Sequence, residues 1–402
     1  MKQIELVKVD GNVNNNKFYK MIQESPDNFT VKWGRVGYDG TTTRYPMHKW
    51  DQLYRSKIKK GYQDITSLRV DAATTFAYKE LQDRSIQKLL NDLQKYAKQS
   101  VSENYTVSAE AVTKAKIDEA QSLIDQIANY INDSTRMQRG AFDIYHVNNL
   151  LQKLYVVIPR KMIKVQNHIL SQSDNCGVAK RLIDREQSNI DTLAAQVDLS
   201  KPHVPDQTLE EALGLKIVRT TDEDIEIIEK LLGPNSSQLR NAFVVDNLKS
   251  RKVFEEQRKN SHKHWTKLLW HGSRNENWLN IMKTSLKIRP SGVVLTGAMF
   301  GNGIYFADKA QKSIGYTSLR GSYWARGSEG KGYIALYDVN TGMEYRTKSR
   351  ESWMGGANYN SLRRKGEYDS LFAEGGVDLR NNEYIVYKDS QCTIKYLVEL
   401  AG

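Results

Sequence analysis

Apolar and polar residues alternate along the first seventy positions, in short runs separated by turn signals. The runs are IELVKV, FYKMIQ and FTVKWGRVGYDG, and Asn-rich and Asp-Gly turns lie between or after them. A period of two is typical of strands that bury one face. We therefore predict a small β-rich module over residues 1–78, with a basic helix between Trp50 and Tyr62.

The period changes to that of a helix over residues 79–200. Apolar residues recur three and four positions apart and form one stripe, made by Ile117, Ala120, Leu123, Ile124, Ile127 and Ile131. Similar stripes occur in FDIYHVNNLLQKLYVVI and in GVAKRLIDREQSNIDTLAAQV. The pattern predicts an all-α helical bundle whose stripes face a core.

A third region begins after the segment LSKPHVPDQT. Pro202 and Pro205 cannot continue a helix and mark a boundary near residue 206. Beyond it, short helices and Gly-rich turns separate five apparent strands, FVVDNL, KLLWHG, GIYFA, GYIALYDV and NEYIVY. We predict a mixed α/β domain over residues 206–402, which makes the whole chain a multidomain α+β protein.

The charge of the chain favours a polyanionic partner. Lys and Arg number 59 against 47 Asp and Glu, a net charge of +12, and residues 1–70 hold 13 basic and 7 acidic residues, or +6. Such a surplus is typical of proteins that bind nucleic acid. A solvated basic face without a partner is the alternative, and charge alone does not separate the two.

Other function classes are disfavoured by composition. Cys176 and Cys392 are the two cysteines, so neither a disulfide framework nor a four-cysteine zinc site is available, and we expect no metal. No apolar run is long enough for a membrane span, and the N-terminus lacks the apolar core of a secretory signal. We therefore expect a protein that acts in the reducing interior of a cell and does not bind a membrane.

Candidate chemistry lies in the third region. His271 follows the apolar strand KLLW, at a strand end where sites are often built. Glu383 lies inside the apolar run NNEYIVYK, where an unpaired carboxylate is costly to bury, which favours a functional role. Between them lie residues that suit a flat heteroaromatic amide: Gly297, Gly301, Gly303, Tyr305, Ser313 and Tyr316.

The ordered segments LLWHGSR, MFGNGIYFADKAQKSIGYTS and NEYIVY resemble the catalytic domain of the poly(ADP-ribose) polymerase family. The His-Tyr-Glu signature of that family falls on His271, Tyr305 and Glu383. VKWGRVG resembles the motif of the WGR domain, and the helical middle, including LLQKLYVVIP, is similar to the regulatory helical domain of the family. The resemblance implies a WGR nucleic-acid-binding domain (1–78), a regulatory helical domain (79–200) and an ADP-ribosyltransferase domain with a split antiparallel sheet (206–402).

The resemblance also implies a function. The expected protein is a DNA-break-activated enzyme that uses NAD+ as substrate, releases nicotinamide, transfers ADP-ribose to proteins including itself and extends poly(ADP-ribose) chains. Its expected partners are 5′-phosphorylated DNA strand breaks, and without DNA we expect a monomer. It would act in the nucleus if the source is a eukaryote, and in the cytoplasm if the source is a bacterium or a virus.

Site roles carry over by the same resemblance. Glu383 would hydrogen-bond the ribose 2′-hydroxyl and help activate the acceptor hydroxyl, while His271 holds the same sugar. The backbone of Gly272 and the Ser313 hydroxyl would bind the carboxamide of nicotinamide. Two aromatic walls, Tyr316 by stacking and Tyr305 opposite, would enclose its ring.

Two further pairs of residues are expected to bind ligand. Ser273 and Asn277 fall where the family contacts the adenosine half of NAD+. In the WGR domain, Trp33 would stack on a terminal nucleotide and Arg35 would bind a phosphate. The alternative for this second pair is structural, with Trp33 packed in the small core and Arg35 capping a turn.

Three departures from the family pattern leave alternatives open. Lys287 stands where an arginine is usual, Asn302 stands where a lysine is common, and the sequence ends at YLVELAG without the longer tail of animal members. Transfer of single ADP-ribose units is therefore one alternative. A catalytically silent scaffold that binds DNA ends is a separate alternative, which the intact His271, Tyr305 and Glu383 disfavour. The helical region would either restrain activity until DNA loosens it or serve as an inert spacer.

Overall fold

The computed structural model of the chain describes residues 2–68, 77–132, 142–201, 204–261, 263–288 and 299–402. Two residues named above, Pro202 and Gly297, lie outside these ranges. The described residues divide into two compact units, of which the first comprises residues 2–68, 99–132 and 142–201 and the second residues 77–98, 204–261, 263–288 and 299–402. The division into three functional domains at residues 78 and 206 stays a prediction.

The first unit contains a five-stranded antiparallel sheet in the order β4-β3-β2-β1-β5. Its elements are β1 (Gln3–Asp10), β2 (Asn15–Gln23), β3 (Asn28–Arg35), β4 (Thr41–Pro46), the helix α1 (Trp50–Lys59) and β5 (Gln63–Asp64). Alternate strand residues point to one side and bury an apolar core against Trp50 of α1; they are Leu6, Tyr19, Met21, Phe29 and Val31. The predicted β-rich module is present.

Among the described residues, the helices that follow are α2 (Arg84–Asn104), α3 (Lys114–Asn132), α4 (Ile144–Val157) and α5 (Cys176–Leu199). Helix α3 packs against α4 and α5, and its stripe residues Ala120, Ile124, Ile127 and Ile131 are buried, as the period of the sequence predicts. The side chains of Asp143 and Asn175 accept hydrogen bonds from the first free N–H groups of α4 and α5, which explains where these helices begin.

A buried ion pair lies among the helices of the first unit. Arg160 and Glu186 are both almost fully buried, and Nη2 of Arg160 lies 3.2 Å from Oε2 of Glu186. The guanidinium also lies over the ring of Tyr105, 4.7 Å from its centroid. Because each charge is the main compensation for the other away from water, removing either one alone leaves an uncompensated charge in this core.

The described residues of the second unit form two sheets. The first is antiparallel in the order β6-β7-β14-β10-β8, and the second has the order β11-β12-β13-β9. The strands are β6 (Leu215–Arg219), β7 (Leu239–Asn247), β8 (Thr266–Gly272), β9 (Ile304–Phe306), β10 (Lys331–Asn340), β11 (Glu344–Thr347), β12 (Ser370–Ala373), β13 (Glu383–Val386) and β14 (Cys392–Ala401). The helices are α6 (Leu209–Leu213), α7 (Asp222–Leu232), α8 (Leu248–Lys259), α9 (Trp278–Thr284), α10 (Ala310–Ile314) and α11 (Tyr359–Lys365).

This architecture is the predicted mixed α/β domain with antiparallel pairing, with one addition. Strands β11 and β12 pair in parallel, whereas the other pairs of the second sheet are antiparallel. The central strands β10 and β14 are buried along nearly their whole length. In the part of the chain that the structure describes, no helix combines the length and apolar character that a bilayer span needs.

The two sheets of the second unit meet edge to edge at β8 and β9. Trp270 and Ala307 exchange two backbone hydrogen bonds, of 2.8 Å and 3.0 Å. The end of β8 is thereby placed beside β9 and, through it, beside β13. This junction positions the residues of the candidate site.

The Arg160–Glu186 pair can be tested by removing one charge or both. Glu186→Leu leaves a buried cation without its partner, so we expect a loss of about 3–5 kcal/mol in the free energy of unfolding. The double variant Arg160→Met/Glu186→Leu removes both charges and should recover most of that loss. Urea unfolding followed by circular dichroism measures both, and equal losses in the two variants would contradict the interpretation.

Candidate active site

Three strands bring the residues of the His-Tyr-Glu signature together. His271 lies near the end of β8, Tyr305 in the middle of β9 and Glu383 at the start of β13. Tyr305 pairs with Ile385, so Glu383, two residues earlier, lies on the same face of the sheet as Tyr305. The Nδ1 atom of His271 lies 3.1 Å from the carbonyl oxygen of Tyr305, which joins the third member to this cluster.

The imidazole of His271 is oriented by its backbone contact. A carbonyl oxygen can only accept, so Nδ1 donates the proton and Nε2 keeps its lone pair in the neutral ring. The ring lies among the rings of Trp278, Phe306 and Tyr337, at centroid distances of 6.4, 5.9 and 6.0 Å. Burial lowers the pKa of His271 below its ordinary value of 6.5. At neutral pH the site therefore holds a neutral imidazole with an acceptor at Nε2.

Tyr305 is fixed by two hydrogen bonds at its hydroxyl. The hydroxyl donates to the carbonyl of Gly301 at 2.8 Å and accepts from the N–H of Phe300 at 3.1 Å. Burial, and to a lesser extent the negative charge of Glu383, raises the pKa of Tyr305 well above its usual range. The ring is a rigid, uncharged wall of the site.

Glu383 is buried and half-satisfied. Its Oε1 accepts a short hydrogen bond from Nζ of Lys312 in α10. Among the described residues, its Oε2 has no hydrogen-bond partner. A buried carboxylate oxygen without a partner is costly, so its position indicates a place for a ligand hydroxyl.

Lys312 was not identified from the sequence. The signal available was its position next to Ser313 in a five-residue helix, but a lysine in a polar segment is more often solvated. Only the packing of α10 against β8 turns this side chain toward Glu383.

Gly272 and Ser313 meet through their backbones. A Cβ atom on Gly272 would lie 1.9 Å from the carbonyl oxygen of Ser313, so no other residue fits this position without displacing α10. Ser313 is itself buried. The two residues expected to bind a carboxamide are thus adjacent, at the junction of β8 and α10.

The ring of Tyr316 forms an aromatic wall beside α10. It is 40% exposed and stacks against Trp324, with the ring centroids 6.2 Å apart and the planes 19° from parallel. Trp324 is held in turn by its backbone N–H, which donates to the carbonyl of Gly315 at 2.9 Å. Burial, followed by the charge of Glu383, raises the pKa of Tyr316 to about 12, so the phenol is neutral. Trp324 was not identified from the sequence.

The other expected ligand residues have these surroundings. The side-chain amide of Asn277 donates to Oγ of Ser273 at 3.0 Å, so these two residues form a polar pair just beyond β8. Nζ of Lys287 lies 3.3 Å from Oδ2 of Asp389. The N–H of Asn302 donates to the carbonyl of Ala357 at 3.0 Å. No group of metal-ligating side chains is found among the described residues.

The residues of the first unit that were expected to bind nucleic acid differ in exposure and contacts. Trp33 is 46% exposed, so it is not part of the small core, where Trp50 is the buried tryptophan. The guanidinium of Arg35 donates to the carbonyl of Asn14 at 2.9 Å and to that of Met162 at 3.3 Å. Arg35 therefore makes structural contacts, and its binding to a phosphate stays a prediction.

Comparison with known proteins gives two family matches. Residues 223–401 match the model of the poly(ADP-ribose) polymerase catalytic domain, and residues 2–69 match that of the WGR domain. The first match contains His271, Tyr305 and Glu383, and the second contains Trp33 and Arg35.

Individual relatives agree with these matches. Protein 101L of Invertebrate iridescent virus 6, which is named as uncharacterized, is 34% identical over 184 residues, covering 46% of this chain and 73% of that protein. Protein 100L of the same virus, named as poly [ADP-ribose] polymerase-like, is 34% identical over 164 residues, covering 39% and 83%. Poly [ADP-ribose] polymerase 1 of Gallus gallus is 24% identical over 414 residues, covering 92% of this chain and 38% of that protein.

The close approach at Gly272 generates a stability prediction. Gly272→Ala places a methyl group against the backbone of Ser313, so we expect a loss of about 3 kcal/mol, at the upper end of overpacking effects. Gly330→Ala is the matched control, because a Cβ there meets no atom within 4 Å. Thermal unfolding measures both variants, and a Gly272→Ala protein as stable as the control would show that the approach is looser than described.

Proposed function

The chain belongs to the poly(ADP-ribose) polymerase family and is an NAD+ ADP-ribosyltransferase, and we propose that DNA breaks activate it and that it extends chains of ADP-ribose on proteins. Acceptors include the chain itself. The observation that carries the proposal for the site is the buried carboxylate of Glu383, which has a hydrogen-bond partner at Oε1 and none at Oε2 among the described residues. The partner at Oε1 is Lys312, the neighbour of Ser313 in α10, and the neutral His271 belongs to the same cluster.

The residues present fit the nicotinamide half of NAD+. A carboxamide needs one acceptor and one or two donors, which the backbone of Gly272 and the hydroxyl of Ser313 supply at a place where no Cβ intervenes. Tyr316 stacks on the pyridine ring, and Tyr305 closes the opposite side. Both phenols are neutral, so they provide flat surfaces without introducing an anion near the ring.

Glu383 performs the chemistry at the ribose. Its free Oε2 accepts a hydrogen bond from a ribose hydroxyl, and its charge stabilises the positive charge that develops as the bond from nicotinamide to ribose breaks. Nicotinamide leaves with the electron pair of that bond. The oxygen of an acceptor hydroxyl forms the new bond to the ribose carbon, and its proton passes to the carboxylate.

Two neighbours prepare Glu383 and the sugar for this step. Lys312 orients the carboxylate through Oε1, which leaves Oε2 for the substrate. Nε2 of His271, an acceptor in the neutral ring, accepts a hydrogen bond from a second ribose hydroxyl. Ser273 and Asn277, already paired with each other, bind the adenosine half.

Activation by DNA is assigned to the WGR domain. Trp33 presents an exposed indole in a segment whose net charge is +6, a combination suited to a strand end with an unpaired base and phosphates. Residues 79–200 act as the regulatory helical domain, which restrains activity until DNA engages. The relative from Gallus gallus aligns over 92% of this chain and so includes this region.

The proposed activity can be tested through NAD+ consumption and product size. The protein is assayed alone, with intact circular DNA and with 5′-phosphorylated nicked DNA. We expect nicked DNA to raise the rate and to give ladders of products, and Glu383→Gln to abolish the ladders because it removes the charge at the ribose. Glu329→Gln, an exposed carboxylate in the same unit, is the control.

Each part of the proposal has an outcome that would overturn it. Equal rates with intact and nicked DNA would exclude activation by DNA breaks and would favour the alternative that the helical region is an inert spacer. A single discrete adduct would remove chain extension and indicate transfer of single ADP-ribose units. Ladders that survive in Glu383→Gln would exclude the proposed role of that residue.

The exposed indole of Trp33 gives a separate prediction for DNA binding. Trp33→Ala should weaken binding to nicked DNA about five-fold or more, because stacking on an aromatic ring contributes about 1–3 kcal/mol per base. The rate without DNA should not change. Tyr38→Ala removes another exposed ring of the same module and is the control. Fluorescence anisotropy measures the affinities, and matching values for the two variants would exclude stacking on Trp33.

A further inference from the structure

A second concave surface lies in the second unit at the opposite end of β8 from His271. It has a volume of about 660 Å³ and is lined in part by Trp265, Lys267, Met343, Arg346 and Tyr368, and we call it the Trp265 surface. Trp265 precedes His271 by six residues, which at about 3.3 Å per residue along a strand places it about 20 Å from the imidazole. The proposed NAD+ site makes no use of these side chains.

The aromatic part of the surface is open to solvent although its backbone is fixed. Trp265 is 56% exposed, while its carbonyl oxygen accepts a hydrogen bond from the N–H of Thr341 at 2.9 Å. Met343, in the same lining, is 40% exposed. Tyr368 packs its ring edge-on against Tyr345, with centroids 5.1 Å apart. The indole of Trp265 is not packed in the core, and its backbone is already held in place. A ligand can therefore stack on it with little loss of conformational entropy.

The charged part of the surface is positive. Glu344 is its buried carboxylate, and it lies 2.9 Å from Nζ of Lys267 and 2.8 Å from Nη2 of Arg346. Two cations thus face one anion, and the side chain of Arg346 is largely exposed. A further cation, Lys263, has its Nζ 5.8 Å from the centroid of the Trp265 ring.

Further basic residues lie shortly before the lining residue Tyr368 in the sequence. Helix α11, which ends three residues before it, closes with Arg363, Arg364 and Lys365. Nζ of Lys365 lies 5.1 Å from the ring centroid of Trp353, and that ring packs edge-on against Tyr345. Since Tyr345 also contacts Tyr368, a continuous set of aromatic contacts joins the basic end of α11 to the Trp265 surface.

We propose that the Trp265 surface binds single-stranded nucleic acid, with an unpaired base stacked on Trp265 and phosphates at Lys263 and Arg346. Exposed aromatic rings among basic side chains are the combination that sequence-tolerant single-strand binding requires. The cations come from separate segments, one just before β8 and one in β11, which suits a strand that carries one phosphate per nucleotide. In a chain of ADP-ribose, by contrast, the two phosphates of each unit are adjacent. An acidic peptide would leave the indole without a stacking partner.

The test measures binding of a short fluorescent oligothymidylate to the full chain by anisotropy. Trp33→Ala is present in every protein, so that the WGR domain does not mask the second site. Adding Trp265→Leu should weaken binding about five-fold or more. Adding Lys263→Gln should reduce the slope of log affinity against log salt by about 0.7, the loss of one phosphate contact. The matched controls are Trp324→Leu, another exposed indole of this unit, and Lys348→Gln, an exposed lysine outside the lining.

A covalent readout identifies the contact directly in the chain without substitutions. An oligonucleotide carrying 5-iodouridine should photocrosslink to the peptide that contains Trp265. Nicotinamide release without DNA should be the same in Trp265→Leu as in the parent chain, which shows that the fold is intact. The binding site does not depend on the proposed activation by DNA breaks, so either proposal can fail without the other.

Three results would overturn the inference. The first is no oligothymidylate binding in the Trp33→Ala chain, together with no crosslink at the Trp265 peptide. The second is equal affinity in the Trp265→Leu and Trp324→Leu chains. The third is a Trp265-dependent affinity for ADP-ribose oligomers with none for oligothymidylate, which would assign the surface to the product chain.

Discussion

The ion pair between Lys312 and Glu383 is the interaction on which the active site depends. It occupies one oxygen of a buried carboxylate and leaves the other without a partner among the described residues. Without a nearby cation, a carboxylate buried to this extent would be strongly disfavoured. The pair also joins α10, which carries Ser313, to β13, so a single contact links the groups proposed for the carboxamide to the group proposed for the ribose.

The electrostatics of the site are simple because the other members are uncharged. Burial lowers the pKa of His271 and raises the pKa of Tyr305 and Tyr316, so all three are neutral near pH 7. Glu383 is then the anion of the cluster and Lys312 its counter-ion. A positive charge that develops at a ribose carbon meets one oriented carboxylate, in surroundings that screen it less than water does. This arrangement suits cleavage of a bond whose leaving group is neutral nicotinamide.

Much of the fold follows from local patterns. Alternation in β1–β3 and the stripe on α3 predict the faces that are buried, because a period of two or 3.6 residues places side chains on one side whatever their partners are. In the second unit, the strands β6, β11, β12 and β14 were not predicted. β14 is buried along nearly its whole length and lacks alternation, and the parallel pairing of β11 with β12 depends on residues more than twenty positions apart.

The active site likewise has features that local sequence determines and features that depend on tertiary contacts. The sequence by itself determined the identities and order of His271, Tyr305 and Glu383, because these lie in contiguous motifs whose residue types are legible without coordinates. Only the tertiary structure decided that Lys312 pairs with Glu383, that Arg35 contacts the carbonyl of Met162, and that Trp265 lies in a basic concave surface. The physical reason is that a side chain's charge is a local property, whereas its partner is set by strand register and packing between distant segments.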